Sequence, residues 1–316
     1  MASPPPHCLV TGGAGFIGSH LVEALVARGR RVRVLDDLST GRRENLAAVA
    51  EKVELVVGDI RDLEVCRRAC AGVDYVLHHA AKVSVAESVE RPIETHEVDA
   101  LGTLKVLIAA RDAGCKRLVY AGSASVYGNC ELSPQHEGLA ADPLSPYAIA
   151  KHVGELYCRA FYGLYGFETV VLRYFNIFGP RQDPGSPYSG VIARFIRQLA
   201  RDESPAIQGD GEQSRDFVPV ANVVEANLLA CTSPNAVGQT INVGCGTSTT
   251  INQLARMLIE TTGSDRVSAH ADSRPGDVRH SLADITRARD LLGYEVTVTP
   301  EEGLRATVAW YRENAT

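Results

Sequence analysis

The chain has 316 residues, 45% hydrophobic and 22% charged, with a net charge of −6. That length suits one large or two modest domains of an ordinary globular protein. The acidic balance excludes the basic face of a nucleic-acid binder, so an anionic substrate must be met by local Arg or Lys.

No apolar run reaches the roughly 18 residues of a membrane span. The opening Met1 to His7 lacks the charged and apolar regions of a signal peptide and reads as a short frayed tail. Eight cysteines are scattered, mostly within apolar runs. Cys66 and Cys70 are the closest pair, and no second pair stands at metal-ligand spacing. The expectation is buried reduced thiols, no metal, and a cytoplasmic location.

In chain order, Cys8–Thr11 is a short apolar strand running into Gly12-Gly13-Ala14-Gly15-Phe16-Ile17-Gly18. Ser19 to Arg28 then reads as an amphipathic helix closed by Gly29. Strand, glycine turn and helix are the context of a dinucleotide fingerprint. Gly12 permits the tight turn, Gly15 lets backbone approach a pyrophosphate, and Gly18 lets helix pack on strand, with the helix N-terminus facing the phosphates. A second strand, Arg31–Leu35, ends at Asp36-Asp37. An acid about 20 residues past the glycines bonds ribose hydroxyls and repels a 2′-phosphate, which favours NAD with Asp36 as its ligand. Alternatively, these acids merely start the turn Leu38–Gly41.

Val53–Val57 is a third strand, followed by Asp59 and Asp62. Asp59 suits an adenine amine, although either aspartate also suits a helix N-cap. Tyr75–His79 is a fourth strand, ending at Ala80 and Ala81, small enough for backbone to lie close to a cofactor. His78 and His79 are either catalytic or structural. Val98 to Ala113 reads as a helix and Leu118–Ala121 as a fifth strand. This alternation predicts an α/β fold, a doubly wound parallel sheet of Rossmann type, binding ligands at the carboxyl ends of its strands.

Ser123 and the stretch Ser145–Lys151 follow that edge. Tyr147 and Lys151 stand four apart at the start of a helix, hence on one face, one turn apart. A Lys ammonium near a phenol favours the phenolate and lowers its pKa from about 10, giving a base near neutral pH. The plain alternative is a surface helix with a snorkelling lysine.

Six stretches now stand together: TGGAGFIG (Thr11–Gly18), SASVYG (Ser123–Gly128), SPYAIAK (Ser145–Lys151), RYFNIFGPRQDP (Arg173–Pro184), GDGEQSRDF (Gly209–Phe217) and RPGDVRHS (Arg274–Ser281). With them, from His7 to Tyr311, the sequence resembles the extended short-chain dehydrogenase/reductase family and, within it, the NAD-dependent UDP-sugar 4-epimerases. The resemblance implies that Tyr147 is the base at sugar carbon 4. Lys151 would hold the nicotinamide ribose and tune Tyr147, and Ser123 would bond the same sugar oxygen. Gly12, Gly15, Phe16, Ile17, Gly18, Asp36, Asp59, Ile60, Ala80 and Ala81 would contact NAD. Relatives that dehydrate or decarboxylate carry extra acids after the catalytic serine or threonine. Here Ala124 and Ser125 stand there, which favours simple epimerisation. Asp99 departs from the pattern, because the family usually has Asn before the Gly102-Thr103 pair. The serine stretch likewise begins Ala121-Gly122 where Ser-Ser is frequent.

After Arg173, glycines and prolines mark a crossover to a smaller substrate-binding lobe, with a helix from Val191 to Arg201. The resemblance implies substrate contacts at Asn176 and Val191. Arg215 and Arg274 are candidates for the diphosphate, which a guanidinium grips as a fork. For each, the alternative is a surface ion pair, such as Arg215 with Asp216. Asp277 would take the uridine ribose hydroxyls. Ser281 stands where such epimerases carry a bulky Tyr or a small residue, so it implies room for an N-acetyl group. The expected division is 1–175 plus 216–245 for NAD and 176–215 plus 246–316 for the UDP-sugar. A homodimer would form through the Val98–Ala113 and Tyr147–Tyr165 helices. The expected activity is 4-epimerisation of UDP-Glc/UDP-Gal and UDP-GlcNAc/UDP-GalNAc. The rivals are a UDP-glucuronate 4-epimerase and a non-catalytic NAD-sensing regulator on the same fold.

Overall fold

The first strand, β1 (His7–Thr11), is buried along its whole length, so it lies inside a sheet covered on both faces. The chain continues through α1 (Phe16–Ala27), β2 (Arg31–Asp36), β3 (Val53–Val57), α2 (Leu63–Cys70), β4 (Tyr75–His78), α3 (Val85–Glu90), α4 (Pro92–His96), α5 (Thr103–Asp112), β5 (Arg117–Ser123), α6 (Pro146–Tyr165) and β6 (Glu168–Tyr174). There follow β7 (Asn176–Phe178), α7 (Val191–Ala200), β8 (Ala206–Gln208), β9 (Ser214–Arg215), β10 (Phe217–Pro219), α8 (Val220–Thr232) and β11 (Thr240–Val243). The last elements are β12 (Thr249–Thr250), α9 (Ile251–Thr262), β13 (Ala269–Ala271), β14 (His280–Ser281), α10 (Thr286–Leu292) and α11 (Pro300–Asn314). The structure is a computed structural model and describes residues 5–183, 190–272 and 279–314.

The main sheet has seven strands in the order β11-β6-β5-β4-β1-β2-β3, and each neighbouring pair is parallel. This is the doubly wound topology the alternation predicts. The strand order reverses between β1 and β4, and ligands bind at the carboxyl ends beside such a reversal. One face is covered by α1, α8 and α10 around Leu21, Leu25, Val223 and Leu292. The other is covered by α2, α5 and α6 around Cys66, Leu107, Cys158 and Phe161. A separate core of Phe178, Phe195, Ile207, Leu254, Leu258 and Leu304 joins α7, α9 and α11. Among the described residues, no helix is long and apolar enough to cross a membrane.

Two elements differ from their sequence reading. The first helix starts at Phe16 rather than Ser19, with Gly15 as its N-cap. The stretch read as a helix from Val98 opens instead as a wider π-type turn over Glu97–Gly102 before α5 begins. The Thr103 hydroxyl donates to the Asp99 carbonyl at 2.6 Å. A hydroxyl that takes the carbonyl four residues back competes with the helical amide and loosens the turn.

Helix α6 is locally well specified. The Ser145 hydroxyl caps it by accepting from the Ala148 amide at 3.1 Å, Pro146 occupies its first turn, and Gly166 ends it at φ +65°. Its middle lies against β5 because residue 154 is Gly. A Cβ there would sit 2.3 Å from the Tyr120 hydroxyl oxygen.

Candidate active site

The glycine loop is shaped by what a side chain would strike. Gly12 has φ +67°, and a Cβ on it would lie 2.7 Å from the Ala80 amide nitrogen; at Gly18 a Cβ would fall 2.1 Å from the Gly12 carbonyl oxygen. The loop therefore lies directly against the end of β4, at the sheet's reversal. No side chain caps the N-terminus of α1, so its first amides are available to an anion. Asp36, at the end of β2, is buried. One of its oxygens accepts from the Ala14 amide at 2.9 Å and the other from the Leu38 amide at 2.8 Å. Burial raises its pKa and these two bonds oppose that rise. Asp36 thus braces the glycine loop and retains lone pairs for ribose hydroxyls. The uncapped helix end, the cradle without room for Cβ atoms and the acid at the second strand fit a dinucleotide.

Asp59 is ion-paired with Arg61. One oxygen accepts from the Arg61 amide at 2.7 Å, and the other takes the Arg61 guanidinium at 2.8 and 2.6 Å. Desolvation opposes the charge on Asp59, but the Arg61 bonds win and its pKa falls. Asp62 is the residue that caps α2. Ile60 is buried against Gly102. Phe16 and Ile17 open α1, and Ala80 and Ala81 continue β4, with the Ala80 amide donating to the Thr11 hydroxyl at 3.2 Å.

His78, the last residue of β4, and His79, which follows it, are structural. His78 is buried, with Nδ1 2.7 Å from the Thr11 hydroxyl and Nε2 2.9 Å from the Thr103 hydroxyl. Thr103 already donates to the Asp99 carbonyl, so His78 is a neutral ring donating from Nε2. Burial holds its pKa well below the usual value. His79 bonds the Tyr174 hydroxyl at 3.0 Å, and burial lowers its pKa to about 3.

Ser123 ends β5 and Tyr147 and Lys151 follow on α6, so sheet edge and helix bring the three together. The Ser123 hydroxyl accepts from the Ser125 amide at 3.2 Å and lies near enough to the Tyr147 phenol to favour its ionised form. Lys151 is buried; its Nζ donates to the Ala121 carbonyl at 3.0 Å and lies 5.9 Å from the centre of the Tyr147 ring. The expected lowering of the Tyr147 pKa is absent. Burial pushes it up to about 12, the Ser123 bond pulls it down, and the Asp99 charge raises it further. Burial also lowers Lys151, while Asp99 and Glu155 raise it. Burial is the largest influence on the phenol, and the Lys151 ammonium is itself drawn to a backbone carbonyl.

Sequence reasoning did not find the support beneath this cluster. Glu155, one turn beyond Lys151, is buried and takes the Arg173 guanidinium bidentately at 2.9 and 2.7 Å. The spacing Tyr147-Lys151-Glu155 on one helical face was the available signal.

On the other side, Arg215 and Ser281 are register partners in a small sheet, β12-β9-β14. The Arg215 guanidinium donates to the Ser214 carbonyl at 2.8 Å, and the Ser281 hydroxyl lies 3.5 Å from the Gln135 side-chain oxygen. Asn176 is tied to the Asp216 carbonyl through its backbone amide at 3.1 Å and its side-chain amide at 3.3 Å. Asp216 is turned inward rather than toward a surface pair with Arg215. Its oxygens accept from the Cys245, Gly246 and Ala283 amides. Val191 starts α7. Arg274 and Asp277 lie outside the described residues.

Fold and cluster together define a dinucleotide-dependent enzyme of Rossmann type, with a half-buried tyrosine and a buried lysine one helical turn apart at the sheet edge. The chain belongs to the NAD dependent epimerase/dehydratase family, which it matches over residues 8–244. It is 38% identical to a putative UDP-glucose 4-epimerase of Methanocaldococcus jannaschii over 308 residues, 97% of this chain and 98% of that one. A UDP-glucose 4-epimerase from Thermotoga maritima, solved with UDP-glucose, superposes with a TM-score of 0.93 at 40% identity, covering 98% of this chain and 100% of that one. A UDP-N-acetylglucosamine 4-epimerase from Methanobrevibacter ruminantium, in complex with UDP-N-acetylmuramic acid, gives 0.94 at 40% identity, covering 99% and 100%.

Proposed function

We propose that this protein is a UDP-hexose 4-epimerase that accepts UDP-Glc/UDP-Gal and UDP-GlcNAc/UDP-GalNAc. The observation that carries the reading is the Ser123–Tyr147–Lys151 cluster with no acid at the two positions that follow Ser123. Where a dehydrating or decarboxylating enzyme needs another ionisable group, this chain has Ala124, packed at the core, and Ser125, whose buried hydroxyl has no partner. NAD, when bound, supplies the reversible hydride acceptor that lets carbon 4 pass through a ketone and return in either configuration.

The residues do the rest. Tyr147 takes the proton from the sugar 4-hydroxyl and gives it back, and Ser123 holds the same oxygen through its hydroxyl. Lys151 places a positive charge behind the phenol. Burial keeps the phenolate scarce in the resting protein, so the proton moves only as the sugar oxygen is engaged. The backbone of Gly12, Gly15 and Gly18 meets the dinucleotide phosphates, and Asp36 meets a ribose. Arg215, Arg274 and Asp277 hold the UDP end, while Asn176, Val191 and Ser281 border the sugar. In this division, 1–175 with 216–245 hold NAD, and 176–215 with 246–316 hold the UDP-sugar. Ser281 leaves room for an N-acetyl group.

The protein also pairs with a second copy in this reading. Val85, Val89, Ile93, Leu101, Ile149 and Leu156 are large apolar side chains left exposed across α3, α4, the π-type turn and α6, an arrangement that supports a homodimer. Eight free cysteines suit the reducing cytoplasm in which we place it.

The test is turnover of UDP-GlcNAc, UDP-Glc and UDP-glucuronate side by side, with products resolved by NMR. Conversion of the first two supports the reading. Conversion of UDP-glucuronate alone moves the enzyme to that substrate, and retained NAD without turnover points to a regulator. Tyr147→Phe should lower turnover by about 10²-fold or more while NAD stays bound; near-normal turnover would remove Tyr147 as the base.

A further inference from the structure

Asp99 is a carboxylate at a position where the family it resembles usually has Asn. It lies on the π-type turn before α5 and is 1% exposed. One oxygen accepts from the Lys82 amide at 2.7 Å. The other oxygen is buried and has no hydrogen-bond partner. Leaving half a carboxylate unbonded in the interior is unfavourable, so the charge needs a reason beyond holding the turn. The turn packs against α6, which carries Lys151. Two acids act on that buried ammonium, Asp99 and Glu155, and Glu155 is already gripped by both arms of Arg173.

We propose that Asp99 is a positioning residue: the counter-ion that keeps Lys151 protonated beside Tyr147. This rests on the epimerase reading for its purpose, but not for its geometry. The Lys151 side chain donates to the Ala121 carbonyl, a neutral acceptor that cannot by itself hold a charge in the interior. An ionised Asp99 can, because an opposite charge nearby favours the charged form of a buried amine.

The other groups around Asp99 are accounted for. Lys82 turns its ammonium away, to Glu87 at 3.3 Å and Glu94 at 3.1 Å. Glu97, on the same turn, faces Arg61 at 3.8 Å. His78 on β4 is neutral and occupied by Thr11 and Thr103. Tyr120 on β5 is buried and bonds the Lys151 carbonyl at 3.3 Å, and burial holds its proton on, aided by Asp99. Tyr147 on α6 is likewise kept protonated. Lys151 and Lys82 both lower the Asp99 pKa, Lys151 the more; Lys82 is already paired with Glu87 and Glu94, which leaves Lys151 as the cation that answers the Asp99 charge.

The sequence holds five lysines, at 52, 82, 105, 116 and 151, so NMR of protein labelled at the lysine ε-carbon can follow each one. Lys151 is assigned by the signal lost in Lys151→Met. Two results are expected. In the wild type, the Lys151 signal shows a second inflection near pH 6, where Asp99 takes up its proton. In Asp99→Asn that inflection disappears and the Lys151 midpoint falls by about one pH unit or more. The alkaline limb of the turnover profile falls with it, and Asp99→Glu restores both in part. A Lys151 midpoint unchanged in Asp99→Asn, or a wild-type signal flat through pH 6, overturns the proposal. If the wild type turns over no UDP-hexose, the epimerase reading fails, and the titration still decides the role of Asp99.

Discussion

The two halves of the molecule each bury a carboxylate, Asp99 at 1% exposure and Asp216 at 0%, and in both burial is the largest influence and raises the pKa to about 6. They are nevertheless different objects. Asp216 accepts from the Cys245 amide at 2.8 Å, the Gly246 amide at 2.9 Å and the Ala283 amide at 3.3 Å. It thereby ties the start of β10 to the loop after β11 and to the segment after β14. Asp99 accepts one amide and leaves an oxygen bare. Burial and a raised pKa do not by themselves separate a structural acid from one serving the site. The unused hydrogen-bonding capacity does, and so does what lies within reach of it.

The strongest way to break this comparison is to remove the structural acid. Asp216→Ala strands the buried amides of Cys245 and Ala283 and the part-buried amide of Gly246, and each buried unsatisfied donor costs about 1–3 kcal/mol. The expected loss is about 3–5 kcal/mol, read as a lower urea midpoint at unchanged slope. A loss below about 1 kcal/mol would mean that the joint is held by packing, and Asp216 would then be no better satisfied than Asp99.

The next effect is a pH dependence, and its sign follows from the direction of the shift. Asp99 binds its proton more tightly in the folded chain, at about 6, than in the unfolded chain, at about 3.9. Between these values the native state holds the proton and the unfolded state does not, so stability falls as pH rises. Asp99→Asn removes that slope. Relative to the wild type, the variant should gain about 2–3 kcal/mol between pH 4 and pH 7, measured by denaturant midpoints across the range. A constant difference would mean that Lys151 already neutralises Asp99 completely. The charge would then be an ordinary buried ion pair rather than one kept at a cost to stability.

Much of the first half is legible in the sequence because its information is local. The strand, glycine loop, helix and acid of residues 7–36 are contiguous, and the Tyr147–Lys151 pair is one helical turn. The fold class follows from the alternation of periodicities. The unusual acid at 99 stands out against the family pattern, although its bare oxygen shows only in three dimensions. What fails is anything set by burial or by distant partners. Burial holds the Tyr147 pKa up at about 12, and no spacing reveals how much water the phenol loses. Asp216 reads as the partner of its neighbour Arg215, yet its true partners lie 29, 30 and 67 residues further on. The strands around it are two or three residues long, too short to show a period.

Arg215 sharpens the comparison from the substrate side, with the smallest effect. Its backbone is fixed by β12 and β14, paired with Thr249 and Ser281, and the neighbouring Asp216 anchors the strand end from inside. Truncating the side chain removes the guanidinium bond to the Ser214 carbonyl but leaves those backbone bonds and the Asp216 bonds in place, so stability should fall by less than in Asp216→Ala. Binding of a diphosphate, however, loses a charged fork. Arg215→Ala should raise the KM for a UDP-sugar roughly tenfold, or about 1.5 kcal/mol, with a smaller change in kcat and no change in NAD retention. The KM against kcat split decides the role, because a group that grips the UDP handle acts equally before and during the reaction. A fall in kcat with KM unchanged would place Arg215 at the reacting sugar instead. A fall in the urea midpoint comparable to that of Asp216→Ala would make it part of the joint, and the second half would then have no charged residue whose first duty is the substrate among those described here.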